Sequence, residues 1–340
     1  MSKKLCCNHA GWSDWQLLSG DWSPSAAVLA ETLDGGQAFG WWHGPEDCWT
    51  GRWLDQVAQL RQRSDGRLEW RAPDERQVAT AAALPRYLAL DTDWAALTDA
   101  LPWRSDPHLA ECLRCFPGLR LLRQPFGETL LGFLCSATKQ IVQIKQMLAS
   151  LAERHGVPLA VTGRARTPFR AATASACVAD AAAKGLAALP LHRLPTWAEL
   201  ATIPEAELRQ CQLGFRARFI GETARFLAAH PGWLDETEHL PYAAAKARLV
   251  MLPGVGEKVA DCVLLFGAGR LEAFPVDVWI LKALARRYGL DGWKPAQVAQ
   301  FGRAHFGPLA GLAQQYLFSW ERAHRDGPAT PRRPSQHVTY

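Results

Sequence analysis

The sequence lacks several features that define whole classes of protein. No apolar run reaches the roughly 18 residues that a membrane-spanning helix needs. The polar start at residues 1–8 also has no apolar stretch typical of a secretory signal. Charged residues make up only 21% of the chain and apolar residues 48%, which excludes wholesale disorder. We therefore expect a folded intracellular protein that does not meet the membrane and acts as a monomer.

The cysteines lack the pattern of a disulfide scaffold or a metal site. There are nine, an odd number, in a chain without an export signal, so we expect reduced thiols. Cys112 and Cys115 form a lone C-x-x-C pair with no second pair to complete four ligands. Cys112 also shares a helical face with Leu109 and Phe116, which favours a core position. No terminal cysteine cluster suggests an iron–sulfur site, and no required cofactor is expected.

Strong charge is also missing, since the net charge is only +5 over 340 residues and suits many enzymes. At roughly 100–200 residues per domain, this length predicts about two domains. Ten of the 15 tryptophans precede residue 105, which places a boundary near residue 120. The expected parts are an N-terminal extension (1–27), an antiparallel sheet domain (28–118), a helical domain (119–324) with an Ala-rich insertion (155–195), and a disordered tail (325–340).

Local patterns predict the elements within these parts. Short aromatic segments between turn residues predict strands at 38–43, 48–54, 56–62 and 67–71. Helical signals follow at 91–101, 105–116, 205–211, 216–230, 242–251, 257–266, 278–288 and 309–320. One apolar helical face also runs from Leu130 to Leu151, either as one helix or as two separated by a break. The sequence therefore predicts an α+β protein.

The most informative stretch is MLPGVGEKVADCVLLFGAGR, residues 251–270. Its Leu-Pro-Gly-Val-Gly segment must reverse the chain between two helical patterns. Gly254 and Gly256 can take positive φ, which would direct backbone N–H groups outward at the start of the next helix. A phosphate suits such a site. Taken alone, however, a Gly-x-Gly segment more often marks a simple helix connection.

Lys258 and Asp277 stand out beside this turn. Lys258 lies in the first turn of an apolar helix, where the helix dipole and partial burial both disfavour the ammonium form. A neutral amine there would be a nucleophile, although a solvated lysine that binds phosphate is an equal alternative. Asp277 precedes the helical pattern at 278–288 and suits an N-cap. A carboxylate held by backbone N–H groups stays ionised and could stabilise positive charge on a sugar.

The run LPGVGEKVADC followed by PVDVW resembles the helix-hairpin-helix DNA glycosylase superfamily. More narrowly, residues 28–322 resemble the 8-oxoguanine DNA glycosylase/AP lyase family. Supporting segments are GGQAFGWW (35–42), GLRLLRQPF (118–126), FLCSATKQI (133–141), LGFRARFI (213–220) and GPLAGLAQQYLFS (307–319). The resemblance implies an N-terminal antiparallel sheet domain and a mostly α-helical helix-hairpin-helix domain.

The resemblance also implies a chemistry and a partner. Lys258 would attack C1′ of a nucleotide extruded from double-stranded DNA, expel the damaged base, and form a Schiff base that undergoes β-elimination, with Asp277 assisting. Gly36 would offer its carbonyl to the N7–H of 8-oxoguanine, Phe318 and Cys262 would sandwich the ring, and Gln314 would bind its Watson–Crick edge. Phe318 and Cys262 also suit a plain core, and Gly36 a turn.

The DNA contacts implied by the resemblance depart from the family pattern in places. Thr138, Lys139, Gln140 and Gln143 stand where asparagines and an arginine usually contact the orphaned cytosine. The remaining implied DNA contacts are Phe215 as intercalating ring, Arg216 at the cytosine, Gly254 and Gly256 at the hairpin, and Trp279 where a histidine is usual near a phosphate. We therefore expect weaker preference for cytosine opposite the lesion.

Further expectations concern cations and alternatives. Backbone carbonyls of Val250, Leu252 and Val255 could hold a structural monovalent cation or calcium, by resemblance. Two other functions stay open at this point. One is a monofunctional glycosylase for alkylated bases, which would not need Lys258. The other is a non-catalytic helix-hairpin-helix DNA-binding protein, for which Asp277 would be a coincidence.

Overall fold

The computed structural model describes residues 11–159 and 191–324. Over these residues the chain combines one antiparallel sheet with many helices, which confirms the predicted α+β class. The predictions for residues 1–10, for the centre of the Ala-rich insertion at 160–190 and for the tail at 325–340 lie outside the described residues. The two ends of the insertion do meet, because Pro158 and His192 form an antiparallel bridge.

The sheet has five strands in the order β1-β5-β4-β3-β2, with every neighbouring pair antiparallel. The strands are β1 Gln16–Leu17, β2 Trp41–His43, β3 Cys48–Trp53, β4 Gln56–Gln62 and β5 Leu68–Arg71. The four predicted strands are confirmed, and β1 extends the sheet into the expected N-terminal extension. Register depends on Gly51, whose missing Cβ would lie 2.4 Å from the fully buried ring of Trp41 on the neighbouring strand.

Helices make up most of the remainder. In chain order they are α1 Ala26–Asp34, α2 Gln77–Tyr87, α3 Trp94–Asp99, α4 Pro107–Cys115, α5 Phe126–Leu134, α6 Ile141–His155, α7 Trp197–Thr202, α8 Glu205–Leu208, α9 Arg216–Ala229, α10 Trp233–His239, α11 Tyr242–Leu249, α12 Glu257–Phe266, α13 Val278–Tyr288, α14 Pro295–Phe306 and α15 Ala310–Ala323. A π-helical turn, Arg209–Leu213, follows α8. The long apolar face expected from residue 130 to 151 is interrupted, because α5 ends at Leu134 and α6 starts at Ile141.

Packing does not follow the expected boundary at residue 118. Trp94 and Leu109, from α3 and α4, belong to the large hydrophobic cluster of the helical part, and α4 packs on α15. Asp106 reinforces this join by accepting hydrogen bonds from Tyr288 (2.8 Å) and His305 (2.9 Å). An amphipathic helix buries its apolar face wherever enough apolar surface is available. The distribution of tryptophans, from which the boundary was predicted, reflects composition alone. The packing instead joins α3 and α4 to the helices that follow them.

Candidate active site

The hairpin between α11 and α12 presents the start of α12 at the protein surface. Gly254 has φ +79°, and a Cβ there would lie 2.9 Å from Phe219, so both backbone conformation and space require glycine. Gly256 differs from the expectation of positive φ. It has φ −93° and ψ 179°, an extended conformation, and serves as the N-cap of α12. The first N–H groups of α12 therefore have no side-chain cap, which suits an anion at this end.

Lys258 lies in the first turn of α12 and is half-buried. Its Nζ donates a hydrogen bond to Ser136 Oγ at 3.1 Å and lies 5.2 Å from the ring centroid of Phe133. Ser136 in turn donates to the carbonyl oxygen of Phe133 at 2.7 Å, so its hydroxyl lone pair faces the lysine. The hydroxyl of Ser136, just after α5, is therefore a neutral acceptor that fixes the position of the Lys258 amine. No residue pattern in the sequence marked Ser136 for this role.

Asp277 caps α13 as predicted. Its Oδ1 accepts hydrogen bonds from the backbone N–H groups of Trp279 (2.9 Å) and Ile280 (2.8 Å). Burial raises the pKa of Asp277 above its ordinary value, although the Ile280 N–H and the charge of Lys258 both act to lower it. The effect of burial on this pKa is therefore larger than the opposing effect of the cap donors. A carboxylate with a raised pKa accepts a proton more readily.

Cys262 follows Lys258 by four residues and shares its face of α12. Only 3% of the residue is exposed, and burial raises the pKa of its thiol to about 12, although Lys258 acts in the opposite direction. Cys262 is therefore a neutral, apolar wall rather than a second nucleophile.

Gly36 and Phe318 lie close together in the structure. Gly36 has φ +102°, and a Cβ at this position would lie 3.0 Å from Ile141 Cδ1 and 3.5 Å from Phe318 Cε1. Gln314 precedes Phe318 by four residues on α15, so the two share a face. Only 5% of Gln314 is exposed, and its Oε1 has no hydrogen-bond partner within the described ranges. Because an unpaired buried acceptor costs about 1–3 kcal/mol, a ligand N–H is a suitable partner for it.

The turn between α5 and α6 carries exposed polar side chains. Thr138, Lys139 and Gln140 are all exposed, and Thr138 has φ +55°, an uncommon backbone conformation for a β-branched residue. Gln143 is also exposed, and its Oε1 accepts from the backbone N–H of Gln140 at 3.1 Å, which helps to cap α6. The structure therefore brings Thr138 and Gln143 to one surface.

Phe215 and Arg216 are adjacent in sequence but differ strongly in exposure. Phe215 is 51% exposed, as an intercalating ring requires, but Arg216 is only 3% exposed. Its guanidinium donates to the carbonyl of Ala137 and to Thr138 Oγ1 (3.0 Å), and lies 4.3 Å from the Phe215 ring. Arg216 supports Thr138 and the backbone of the turn through these hydrogen bonds. Its direct contact with a cytosine, which the resemblance implies, stays a prediction.

Asp261 is a site residue that the sequence reasoning missed. It is 1% exposed and lies between Lys258 and Cys262. Its carboxylate accepts hydrogen bonds from Lys246 Nζ (3.0 Å) and Tyr242 OH (2.7 Å), which ties α11 to α12. Burial raises the pKa of Asp261, and the neighbouring lysine and tyrosine act to lower it. The sequence did offer one sign of this role, because Asp261 is an acidic residue within an otherwise apolar stretch of α12.

The remaining predicted residues lie around the hairpin and the start of α13. Trp279 is half-buried in the first turn of α13. Leu252 and Val255 are buried, Val250 is 37% exposed, and the Leu252 carbonyl already accepts the Val255 N–H at 3.1 Å. Within residues 11–159 and 191–324, no group of three or more His, Cys, Asp or Glu could hold a metal ion. Cys112 is fully buried in the hydrophobic core, as expected.

No helix in the described part of the chain is long and apolar enough to cross a membrane.

Comparison with known families separates the chain into two matched regions. Residues 21–130 match the profile described as "8-oxoguanine DNA glycosylase, N-terminal domain". Residues 132–305 match "HhH-GPD superfamily base excision DNA repair protein". The first match includes α3 and α4, and the second starts within α5 and includes the hairpin, Lys258 and Asp277.

Two curated relatives span most of the chain. An N-glycosylase/DNA lyase of Saccharomyces cerevisiae is 30% identical over 291 residues, which cover 79% of this chain and 70% of the relative. The N-glycosylase/DNA lyase OGG1 of Arabidopsis thaliana is 28% identical over 308 residues, covering 86% and 76%.

Solved structures show the same likeness. The 8-oxoguanine glycosylase/lyase of Clostridium acetobutylicum, in complex with double-stranded DNA containing cytosine opposite 8-oxoguanine, superposes with a TM-score of 0.73 and 26% identity, covering 87% of this chain and 92% of that one. A 3-methyladenine DNA-glycosylase of Archaeoglobus fulgidus shares the fold, with a TM-score of 0.65 at 18% identity and coverage of 91% and 99%. The chain belongs to the 8-oxoguanine DNA glycosylase family within the HhH-GPD superfamily of base excision DNA repair proteins.

Proposed function

We propose that this protein is a bifunctional DNA glycosylase and AP lyase that excises 8-oxoguanine from double-stranded DNA in base excision repair. The observation that carries the proposal is the placement of Lys258. Its amine is held by Ser136 at the start of α12, where its charge acts on the half-buried carboxyl of Asp277. An amine nucleophile near a carboxylate that can accept its proton suits glycosyl transfer to the amine.

The proposed reaction uses these two side chains in sequence. Lys258 Nζ loses a proton and forms a bond to C1′ as the bond from C1′ to the base nitrogen breaks, and the departing base takes up a proton. Asp277 stabilises the positive charge that develops on the sugar and accepts the proton from the amine. The sugar ring then opens to a Schiff base. Removal of a C2′ proton and departure of the 3′ phosphate complete β-elimination, and water releases Lys258.

Base recognition is proposed to depend on the wall formed by Gly36 and Phe318. The carbonyl of Gly36 would accept the N7–H that oxidised guanine has and guanine lacks. Among the described residues, the buried Oε1 of Gln314 has no hydrogen-bond partner, which supports a role in binding the Watson–Crick edge, since a base N–H would satisfy it. Cys262 would cover the other face of the ring as a neutral thiol.

The DNA partner is proposed to contact the hairpin and the turn before α6. Phosphates would lie at the hairpin glycines and near Trp279, and the exposed Phe215 would fill the space that the extruded base leaves. Thr138 and Gln143 would face the orphaned base. The protein would act as a monomer, wherever in the cell the genomic DNA lies.

Opposite-base selectivity is expected to be weak. Thr138 and Gln143 provide fewer fixed donors for cytosine than the family's usual asparagines and arginine, and Arg216 is buried. Excision of 8-oxoguanine opposite cytosine, adenine, guanine and thymine should therefore differ less than is usual for the family. Single-turnover cleavage of four otherwise identical duplexes measures this directly. Strict preference for cytosine over the other three would contradict it.

Two alternatives make different predictions about the lysine. A monofunctional glycosylase for alkylated bases would act through Asp277 without a covalent enzyme intermediate. A non-catalytic DNA-binding protein would use only the hairpin. The contact between Lys258 and Ser136 and the match of residues 21–130 to the 8-oxoguanine glycosylase N-terminal domain both favour the bifunctional enzyme.

Borohydride trapping tests the proposed function. With a duplex containing 8-oxoguanine opposite cytosine, the unaltered protein should form a reduced covalent adduct, and Lys258→Gln should form none. Lys282→Met, which removes an exposed lysine on α13, is the matched control and should retain the adduct. An active preparation that excises the base but forms no adduct would favour a monofunctional mechanism.

A structural cation at the hairpin is a further proposal. The Leu252 carbonyl keeps one lone pair free beside its bond to Val255 N–H, so it could join Val250 and Val255 as an oxygen ligand. Such an ion would stabilise the turn and supply no step of the chemistry. A Tm that is unchanged by potassium, sodium or calcium at constant ionic strength would contradict it.

A further inference from the structure

The turn that carries Gly36 is held on both sides by polar contacts. On its C-terminal side, Gln37 is fully buried, and its side-chain Nε2 donates to Arg120 O at 3.0 Å. Its Oε1 accepts from Leu122 N at 2.8 Å, and its backbone carbonyl accepts from Gln124 Nε2 at 2.6 Å. The backbone that follows Gly36 therefore has little freedom to move.

On the N-terminal side, an ion pair between distant parts of the chain fixes the turn. Lys145 Nζ of α6 lies 2.7 Å from Oδ1 of Asp34, the last residue of α1 and two positions before Gly36. The Lys145 side chain is 5% exposed and that of Asp34 is 35% exposed, so the lysine is the more buried partner. The ammonium also lies 5.7 Å from the centroid of Trp42.

The same helix face supports Gly36 itself. Ile141 precedes Lys145 by four residues on α6, so both side chains point towards the turn. Ile141 leaves only 3.0 Å to a Cβ at Gly36, while Lys145 binds Asp34. The α6 helix therefore contacts the turn both at Gly36 and at Asp34.

Stability alone does not explain a buried lysine at this position. Taking an ammonium out of water costs several kcal/mol, which a single partner offsets only when geometry is good. A methionine of similar length would fill the space without that cost. A buried ion pair does supply a fixed distance between two elements, and distance matters for a carbonyl that must meet one N–H of a base.

We propose that the Asp34–Lys145 ion pair positions the Gly36 carbonyl and thereby supports excision of the oxidised base. This inference rests on the proposed function. Lys145 is a positioning residue, because it reaches the base only through the turn that it holds. The pair should affect base excision and leave the chemistry of Lys258 intact.

The test compares two reactions of the same protein. Excision of 8-oxoguanine needs the base pocket, whereas cleavage of a duplex with a preformed abasic site needs Lys258 but no base. We expect Lys145→Met to lower single-turnover excision by about tenfold to a hundredfold, the scale expected for a misplacement near 1 Å. The rate of cleavage of the abasic duplex should change by less than about twofold, well below the effect expected on excision.

Two further variants keep the result decisive. Asp34→Asn removes the charge from the more exposed partner, so it tests the pair even if Lys145→Met folds poorly. The double variant should lose no more activity than the more affected single variant, since the two residues act as one unit. Lys282→Met controls for the loss of one positive charge, and both of its rates should match the unaltered protein.

The outcomes separate this inference from the proposed function. A selective loss of excision supports positioning by the ion pair. An equal fall in both reactions, or no change in either, would overturn it. If the unaltered protein neither excises 8-oxoguanine nor cleaves the abasic duplex, the proposed function fails, whatever the variants show.

Discussion

At the scale of single residues, the proposed active site combines Lys258, the proposed nucleophile, with Asp277, a carboxylate whose pKa is raised by burial. Ser136 fixes the amine of Lys258 from the end of α5, and the first turn of α13 fixes Asp277 through two backbone N–H groups. Each anchor comes from a different element. The positions of Lys258 and Asp277 therefore depend on contacts between different elements and not only on the sequence around each residue.

Replacement of Asp277 should separate activity from stability. Asp277→Asn keeps a good N-cap but removes the base, so excision should fall by about 100-fold to 10,000-fold. Burial disfavours the ionised form of Asp277 in the folded protein. The pKa of Asp277 is higher in the folded than in the unfolded protein. The cost of burying its ionised form is therefore absent below the unfolded-state pKa and fully present above the folded-state pKa. The Tm of the variant at neutral pH should therefore equal or exceed that of the unaltered protein, and a large fall in Tm would contradict this account.

The pH dependence of excision follows from the same shift. The carboxylate must be ionised to accept a proton, so activity is present above the folded pKa of Asp277 and is lost as pH falls through it. Since burial raises that pKa, the loss should begin at a higher pH than for an exposed aspartate. Single-turnover rates measured between neutral and acidic pH check this. An acidic limb at or below the ordinary aspartate range would contradict the prediction.

At the scale of elements, the hairpin depends on a buried ion pair that braces α11 against α12. Lys246 and Asp261 have side-chain exposures of 13% and 2%. Removing Asp261 leaves Lys246 with the exposed carboxylate of Glu257, at 2.5 Å, as its remaining charged partner. Asp261→Ala should therefore lower the free energy of unfolding by about 3 kcal/mol, the lower end of the range for breaking a buried ion pair.

Urea unfolding measures this effect, and a surface pair offers a matched control. Arg218 and Glu222 form an i, i+4 pair on α9 in which the arginine side chain is 64% exposed. Glu222→Ala should change the free energy of unfolding by only about 0.3–0.5 kcal/mol. Equal effects of the two substitutions would contradict a special role for the buried pair.

The elements also show how far the sequence could be used for prediction. The bounds of α12 and α13 were predicted correctly, because clear apolar periodicity follows a Gly256 or Asp277 start. By contrast, α2 was missed because its Ala-rich sequence has little periodicity. Lys258 and Asp277 could be proposed from residue type and spacing, whereas Ser136 contacts Lys258 from 122 positions away along the chain, which no local pattern encodes.

At the scale of the whole molecule, the helices before residue 118 join the two parts of the protein. Residues from α1, α3 and α4 enter the large hydrophobic cluster that also contains α12 and α15. The sheet has its own smaller cluster, but Leu122 from the segment before α5 belongs to it. The Gly36 turn and Lys258, which are proposed to bind the base and to attack the sugar, therefore depend on one continuous packing arrangement.

This arrangement predicts cooperative unfolding. We expect scanning calorimetry of the full chain to show one transition, in which the calorimetric enthalpy equals the van't Hoff enthalpy. Tryptophan fluorescence should follow the same transition, since ten of the 15 tryptophans precede residue 105. Two separate transitions, with the sheet lost before the helices, would show that the parts are energetically independent.

The central claim is that Lys258 forms the covalent bond to DNA, and one measurement tests it most directly. The adduct trapped with borohydride on a duplex containing 8-oxoguanine can be digested, and the modified peptide identified by mass spectrometry. The account predicts that the reduced sugar is attached to Nζ of Lys258. Attachment to any other lysine or to the N-terminal amine would contradict it.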